Sequence, residues 1–184
     1  MEPIRITEVL NYFKEPWYID WVHRVGRTEA NKVGKAAMKI GSRVDEIIKN
    51  SERPTAKDAP EVHTCIAAFD KWFSLYTPLV VDKGTRLFKL IDEVEVTGEP
   101  DIFVDGILVD IKCSSKISKS YWIQVNMYRR LHGSTGDVAI LRLDKVTGSF
   151  EYVVKKHDPF LCDVWVGMLR AMVYLKGDEN GDEL

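Results

Sequence analysis

The chain has 184 residues, 45% of them hydrophobic, and its 26 Lys and Arg against 28 Asp and Glu give a formal net charge of -2. That length suits one domain with a real core, and that charge excludes a globally basic nucleic-acid binder while leaving room for a local basic groove. Cys65, Cys113 and Cys162 are far apart and form no Cys-x-x-Cys pair, which excludes a disulfide framework or a cysteine-ligated zinc or iron–sulfur site and points to a reducing, cytoplasmic or other intracellular compartment.

Thr7 fits the N-cap of a short helix carrying Val9, Leu10 and Phe13. The segment KEPWYIDWVHRVGR follows, rich in aromatics and broken by Pro16 and Gly26. From about Thr28 to Asn50 the spacing predicts a helix. Val33, Ala37, Ile40, Gly41, Val44, Ile47 and Ile48 share one arc, with Lys32, Lys35, Lys39 and Arg43 opposite as a solvated face. After a polar loop, SERPTAKD, a second amphipathic helix is predicted from about Ala59 to Tyr76, striped by Val62, Ile66, Phe69 and Phe73. Strand signals come next in LVV, in RLFKLIDEVEV and in a hairpin around Asp105-Gly106. Ser118 or Ser120 caps a helix ending near Leu131, and Gly133 is its stop. DVAILRL and SFEYVVK flank a turn at Thr147-Gly148, and a last helix runs from about Pro159 to Leu175. No apolar run is long enough to span a membrane, and the N-terminus lacks the basic-then-apolar pattern of a signal peptide. The order predicts a single mixed α/β domain over 1–176, mainly helical to residue 78 and sheet-bearing from 79. An acidic tail at 177–184 is expected to be disordered.

The hairpin carries the chemistry. Asp-Gly between alternating apolar runs signals a two-residue type I′ loop, which pairs Val104 with Ile107 and Phe103 with Leu108. Counting outward, Asp101 meets Asp110 and Glu99 meets Lys112. Strand alternation then puts Glu99, Asp101, Asp110 and Lys112 on one face, and Pro100, Ile102, Val104, Ile107, Val109, Ile111 and Cys113 on an apolar one. Two ionised carboxylates about 5 Å apart repel by roughly 3 kcal/mol at an effective dielectric near 20. Something cationic must offset this: Lys112 in part, a bound metal ion more fully. Phosphodiester hydrolysis needs such a set, since a carboxylate-held divalent ion activates water and neutralises phosphate charge, and a nearby lysine stabilises the transition state.

Glu-Pro-Asp at 99–101, Asp-Ile-Lys at 110–112 and Gln-Val-Asn-Met-Tyr at 124–128 resemble the PD-(D/E)XK nucleases. The Gln124-x-x-x-Tyr128 pair, together with ITEVLNYF and GSRVDEII upstream, is similar to their RecB-like exonuclease branch. The resemblance covers roughly residues 4 to 131. It implies a restriction-endonuclease-like core, a mixed β-sheet flanked by helices on both sides. It further implies a Mg²⁺- or Mn²⁺-dependent deoxyribonuclease without an iron–sulfur cluster, acting on single-stranded DNA or duplex ends in DNA repair or recombination. By the same resemblance, Asp101 and Asp110 are metal ligands with the Ile111 carbonyl. Lys112 positions or activates the water, and Gln124 and Tyr128 orient the site or contact the nucleic-acid backbone. Where the branch usually has a metal-binding His, four residues after a Gly matched here by Gly41, this chain has Asp45, which still offers oxygen to a hard ion.

Lys116, Lys119, Tyr121, Arg129 and Arg130 flank the hairpin and the Gln-x-x-x-Tyr helix as nucleic-acid contacts. Trp17, Tyr18, Trp21 and Trp122 either stack unpaired bases or, as aromatics beside apolar neighbours more often do, belong to the core. A second functional reading is a nuclease-fold protein that binds nucleic acid or a partner without catalysis, favoured by the Asp45 replacement. A glycosidase using the Asp pair ranks last, because opposed ladder residues are too close for inverting geometry.

Overall fold

The structure, a computed structural model, describes residues 2–134 and 136–178. Along them run β1 (Ile4–Arg5), α1 (Ile6–Tyr12), α2 (Pro16–Val25), α3 (Arg27–Asn50), α4 (Pro60–Tyr76), β2 (Val81–Lys83), β3 (Leu87–Ile91), β4 (Val94–Gly98), β5 (Ile102–Val104), β6 (Ile107–Lys112), α5 (Lys119–His132), β7 (Val138–Leu143), β8 (Phe150–Lys155) and α6 (Pro159–Asp178). No helix among the described residues is long and apolar enough to cross a membrane.

The predicted helices form with shifts of a few residues. Arg5, not Thr7, precedes α1. Pro16 opens α2 instead of breaking the chain, because its missing N–H costs nothing in a first helical turn. In α3, Val44 and Ile47 are buried and Lys32, Lys35 and Lys39 are exposed. Arg43 turns back from that outer face, donating from Nε to Asp58 Oδ1 at 2.8 Å and from Nη1 to Glu46 at 2.8 Å, which pins the 51–58 loop. Helix α6 continues to Asp178, past the start assigned to the acidic tail, and residues 179–184 lie outside the described chain.

Two mixed sheets replace the single one expected. Five strands run in the order β2-β5-β6-β7-β8, parallel only at β6–β7, where α5 makes the crossover. The smaller sheet, β1-β4-β3, arises because RLFKLIDEVEV is a hairpin and not one strand. Asp92 and Glu93 form its turn, at φ 48° and 63°.

Alternation along the larger sheet separates two cores. Leu108, Val138 and Ile140 pack with Ile6, Val125, Trp165 and Met172 from α1, α5 and α6. Val109, Ala139, Leu141 and Leu143 pack on the other side with Val44, Ile47, Cys65 and Trp72 from α3 and α4. Helices thus cover both faces of the sheet that carries the hairpin. The charged face of the ribbon is covered at Asp110 and opens toward Glu99.

Candidate active site

Asp105 at φ 48° and Gly106 at φ 82° make the two-residue loop, and the register is Val104↔Ile107, Phe103↔Leu108, Ile102↔Val109. Strand pairing stops there. Asp101 therefore does not face Asp110 as a ladder partner. Its Oδ2 instead accepts the Ile111 backbone N–H at 2.6 Å, turning the carboxylate onto β6.

Asp110 lies in register with Ile140, on the side covered by α5, and is only 1% exposed. Lys112 Nζ donates to its Oδ1 at 3.0 Å and sits 2.8 Å from its Oδ2, but no hydrogen bond reaches that second oxygen. Burial first, and then the charge of Asp110, push the Asp101 carboxyl up to about 7. Burial raises Asp110 as well, against the opposing pull of Lys112. Burial works to lower Lys112, yet the two carboxylates hold it above the usual lysine range. A buried acid, a partly buried one and a single lysine are one negative charge in excess once both acids are ionised. That is a place for a cation.

Helix α5 closes the site. Gln124 and Tyr128, one turn apart and both buried, are joined by a 2.7 Å hydrogen bond from Gln124 Nε2 to the Tyr128 hydroxyl. Burial, with Asp110 nearby, raises the phenol well above its ordinary range, so it stays protonated. Tyr121 presents its ring to Lys112, with Nζ 5.3 Å from the centroid. Gly98 makes room for Tyr128, since a Cβ there would lie 2.7 Å from Cε1 of that ring.

Asp45 sits at the rim and not in the cluster. Its Oδ2 is 3.1 Å from Lys49 Nζ, which also donates to Glu99 Oε1 at 2.9 Å. Glu99 pairs with Lys49 and Arg86, not with Lys112 as the outward count expected. Among the described residues no three His, Cys, Asp or Glu side chains are grouped to hold a metal ion. The Oδ2 of buried Asp110, which accepts no hydrogen bond and faces only the Lys112 ammonium, and the all-oxygen donor set still fit a hard divalent ion at the Asp101–Asp110 pair. Neither Lys49 nor Arg86 stood out in the sequence. The signal for Lys49 was its place four residues after Asp45.

Lys116 and Lys119, on the segment that follows Lys112, are exposed. Arg130 is turned toward α6, 3.4 Å from Asp163. Arg129 departs from the expected nucleic-acid contact. It is 4% exposed and donates to the backbone carbonyls of Gly136 at 3.0 Å and Gly106 at 2.9 Å, which makes it a clamp between helix and hairpin.

No family model matches the chain, and no curated protein matches it in sequence. Solved structures do match. SSO0001 aligns at a TM-score of 0.55 and 10% identity, covering 95% of this chain and 76% of that one. A protein assigned as an exonuclease, from Eubacterium rectale, gives 0.55 at 16% identity over 80% of this chain and 69% of its own. The alkaline exonuclease LHK-Exo from Laribacter hongkongensis gives 0.50 at 14% identity over 97% and 93%. The fold is nuclease-like. At such identities the likeness concerns architecture, and the mixed α/β arrangement expected from the sequence is the one these exonucleases share.

Proposed function

We propose that the chain is a divalent-metal-dependent deoxyribonuclease of the PD-(D/E)XK superfamily, RecB-like branch, that hydrolyses phosphodiester bonds at DNA ends or in single strands. The observation carrying this reading is the cluster itself: a carboxylate, Asp110, buried to 1% exposure with Lys112 Nζ as the cation 2.8–3.0 Å from its two oxygens, beside a second raised carboxyl, Asp101. Stability alone does not favour that arrangement. Its location in a fold shared with exonucleases supports the same reading, and LHK-Exo has been solved in complex with dAMP.

Asp101 and Asp110 would hold Mg²⁺ or Mn²⁺, helped by the Ile111 carbonyl and by Asp45 once Lys49 releases it. When bound, the ion supplies Lewis acidity that lowers the pKa of water and offsets phosphate charge. Lys112 then shares its ammonium between Asp110 and a phosphate oxygen, which strengthens as charge gathers there. Gln124 fixes the Tyr128 phenol, whose proton stays in place to donate to the DNA backbone. The three free thiols fit a reducing compartment.

Incubating end-labelled single- and double-stranded DNA with Mg²⁺, Mn²⁺ or EDTA tests this. Cleavage should require the metal and vanish in Asp110→Ala and Lys112→Ala variants that remain folded; full activity in both would refute it. The engagement of Asp45 by Lys49 favours a second reading, a binding protein without catalysis. Calorimetric titration with Mn²⁺ separates the two, because a catalytic site binds the ion and Asp101→Ala erases that binding.

A further inference from the structure

Helix α2 is PWYIDWVHRV. Six of its ten residues are Trp, Tyr, Ile or Val, yet none of the ten is buried. Trp17 is 45% exposed. Its ring meets that of Tyr18 edge-on at 6.0 Å, and Tyr18 meets Trp21 at 5.7 Å. Two of the three rings already carry a cation over the face: Lys116 Nζ is 4.6 Å from the Trp17 centroid and Lys14 Nζ 5.3 Å from that of Tyr18. The nearby acids are Asp20 and Glu15. Glu15 is occupied, accepting Trp17 Nε1–H at 2.7 Å and the Ser120 backbone N–H, so it latches the start of α2 to the start of α5. A cleft of about 480 Å³ opens at that latch, lined by Phe13, Trp17, Lys116, Ser118 and Lys119. Lys116 follows Lys112 by four residues, which places their Cα atoms no more than about 14 Å apart.

We infer that the Trp17–Tyr18–Trp21 face of α2, with Lys14, Lys116 and Lys119, is a stacking platform for the unpaired bases of single-stranded DNA delivered to the Lys112 site. Aromatic faces take any base, and the lysines that now cover the rings move onto the phosphates that accompany the stacked bases. A duplex keeps its bases stacked on each other and gains nothing from these rings. The inference rests on the nuclease reading for the strand's destination, not for its binding.

Fluorescence anisotropy of labelled dT15 and of a blunt hairpin duplex, with the full chain in EDTA, tests it without hydrolysis. The wild type should bind dT15 more tightly than the hairpin. Trp17→Ala and Tyr18→Ala should each weaken dT15 binding about 5- to 150-fold and leave hairpin binding unchanged while a melt shows each still folded at the assay temperature, and Trp17→Phe should retain most of the affinity. Undiminished dT15 binding by Trp17→Ala, equal losses on both ligands, or a Trp17-dependent change in sedimentation without a change in DNA affinity would overturn the platform. Trp17-dependent binding with no Mn²⁺-dependent cleavage leaves the platform standing and removes the nuclease; cleavage with Trp17-independent binding does the reverse.

Discussion

Replacing Asp101 by Asn should stabilise the metal-free protein. Asp101 titrates near 3.9 in an unfolded chain and near 7 in the fold, so at pH 8 ionising it inside costs about 1.36 × 3.1, roughly 4 kcal/mol. Asp101 keeps an edge open to solvent, which halves that to about 2 kcal/mol. An Asn oxygen can still accept the Ile111 N–H now bonded at 2.6 Å, so the substitution removes charge without orphaning a donor. For a chain of this size 2 kcal/mol corresponds to a rise of about 4–8 °C in Tm. The sign with pH follows: a raised acid favours the folded state less as pH climbs from about 4 to 7, so the gain is largest at pH 8 and below about 1 kcal/mol at pH 5. Thermal melts of both proteins in EDTA at pH 5 and pH 8 measure it. An Asp101→Asn protein melting at or below the wild type at pH 8 would refute the claim that the two carboxylates strain the empty fold.

Mn²⁺ added at pH 8 to about a hundredfold its Kd should stabilise the wild type by about 2.7 kcal/mol and leave Asp101→Asn nearly unmoved; equal Tm shifts would place the ion elsewhere. Arg129→Met severs two charged-donor bonds to the Gly106 and Gly136 carbonyls, and urea unfolding should show a loss of about 2–4 kcal/mol with the dT15 affinity of the folded protein unchanged. Gly98→Ala sets a methyl 2.7 Å from Tyr128 Cε1 and 2.8 Å from Ile6 Cδ1, so it should cost about 1–3 kcal/mol and lower kcat more than it changes KM; steady-state kinetics beside a melt would expose an unchanged enzyme.

What was legible in the sequence was local. The Asp105-Gly106 loop declared itself because two consecutive positive φ angles favour that dipeptide, and the pairing from Val104↔Ile107 to Ile102↔Val109 followed by counting. The same backbone at Asp92-Glu93 was invisible, since Glu in the second position, unlike the Gly of Asp105-Gly106, does not favour positive φ and only the folded chain holds it there, with Arg170 bonded to Asp92 at 2.7 Å. Pro16 was ambiguous in principle, because proline both ends helices and begins them. The depth of Asp110 was not readable. Alternating polar residues on a strand look like a solvent face, and only the docking of α5 over β6 converts that face into a buried one.

Arg129 explains why the remainder is tertiary and why the site is stiff. It lies one residue beyond Tyr128, where a basic residue looks like a phosphate contact, yet its guanidinium grips the carbonyl of Gly106 at the hairpin tip. Gly136 leaves the space for it, since a Cβ there would collide with Nη2. The turn that sets the ribbon's register is thereby tied to the helix that carries Gln124 and Tyr128. Together with the Ile111–Asp101 bond, this makes the hairpin and α5 one frame that fixes two carboxylates, a lysine and a phenol. Asp45 belongs to another element, α3; its charge helps to raise both Asp101 and Asp110, while its carboxylate is held by Lys49, which Glu99 and Arg86 join at a partly exposed rim. Ion pairs of that kind are worth little and exchange readily. The paired acids are therefore preorganised, and under the metal-dependent function proposed above the third would be held where an arriving cation could compete for it.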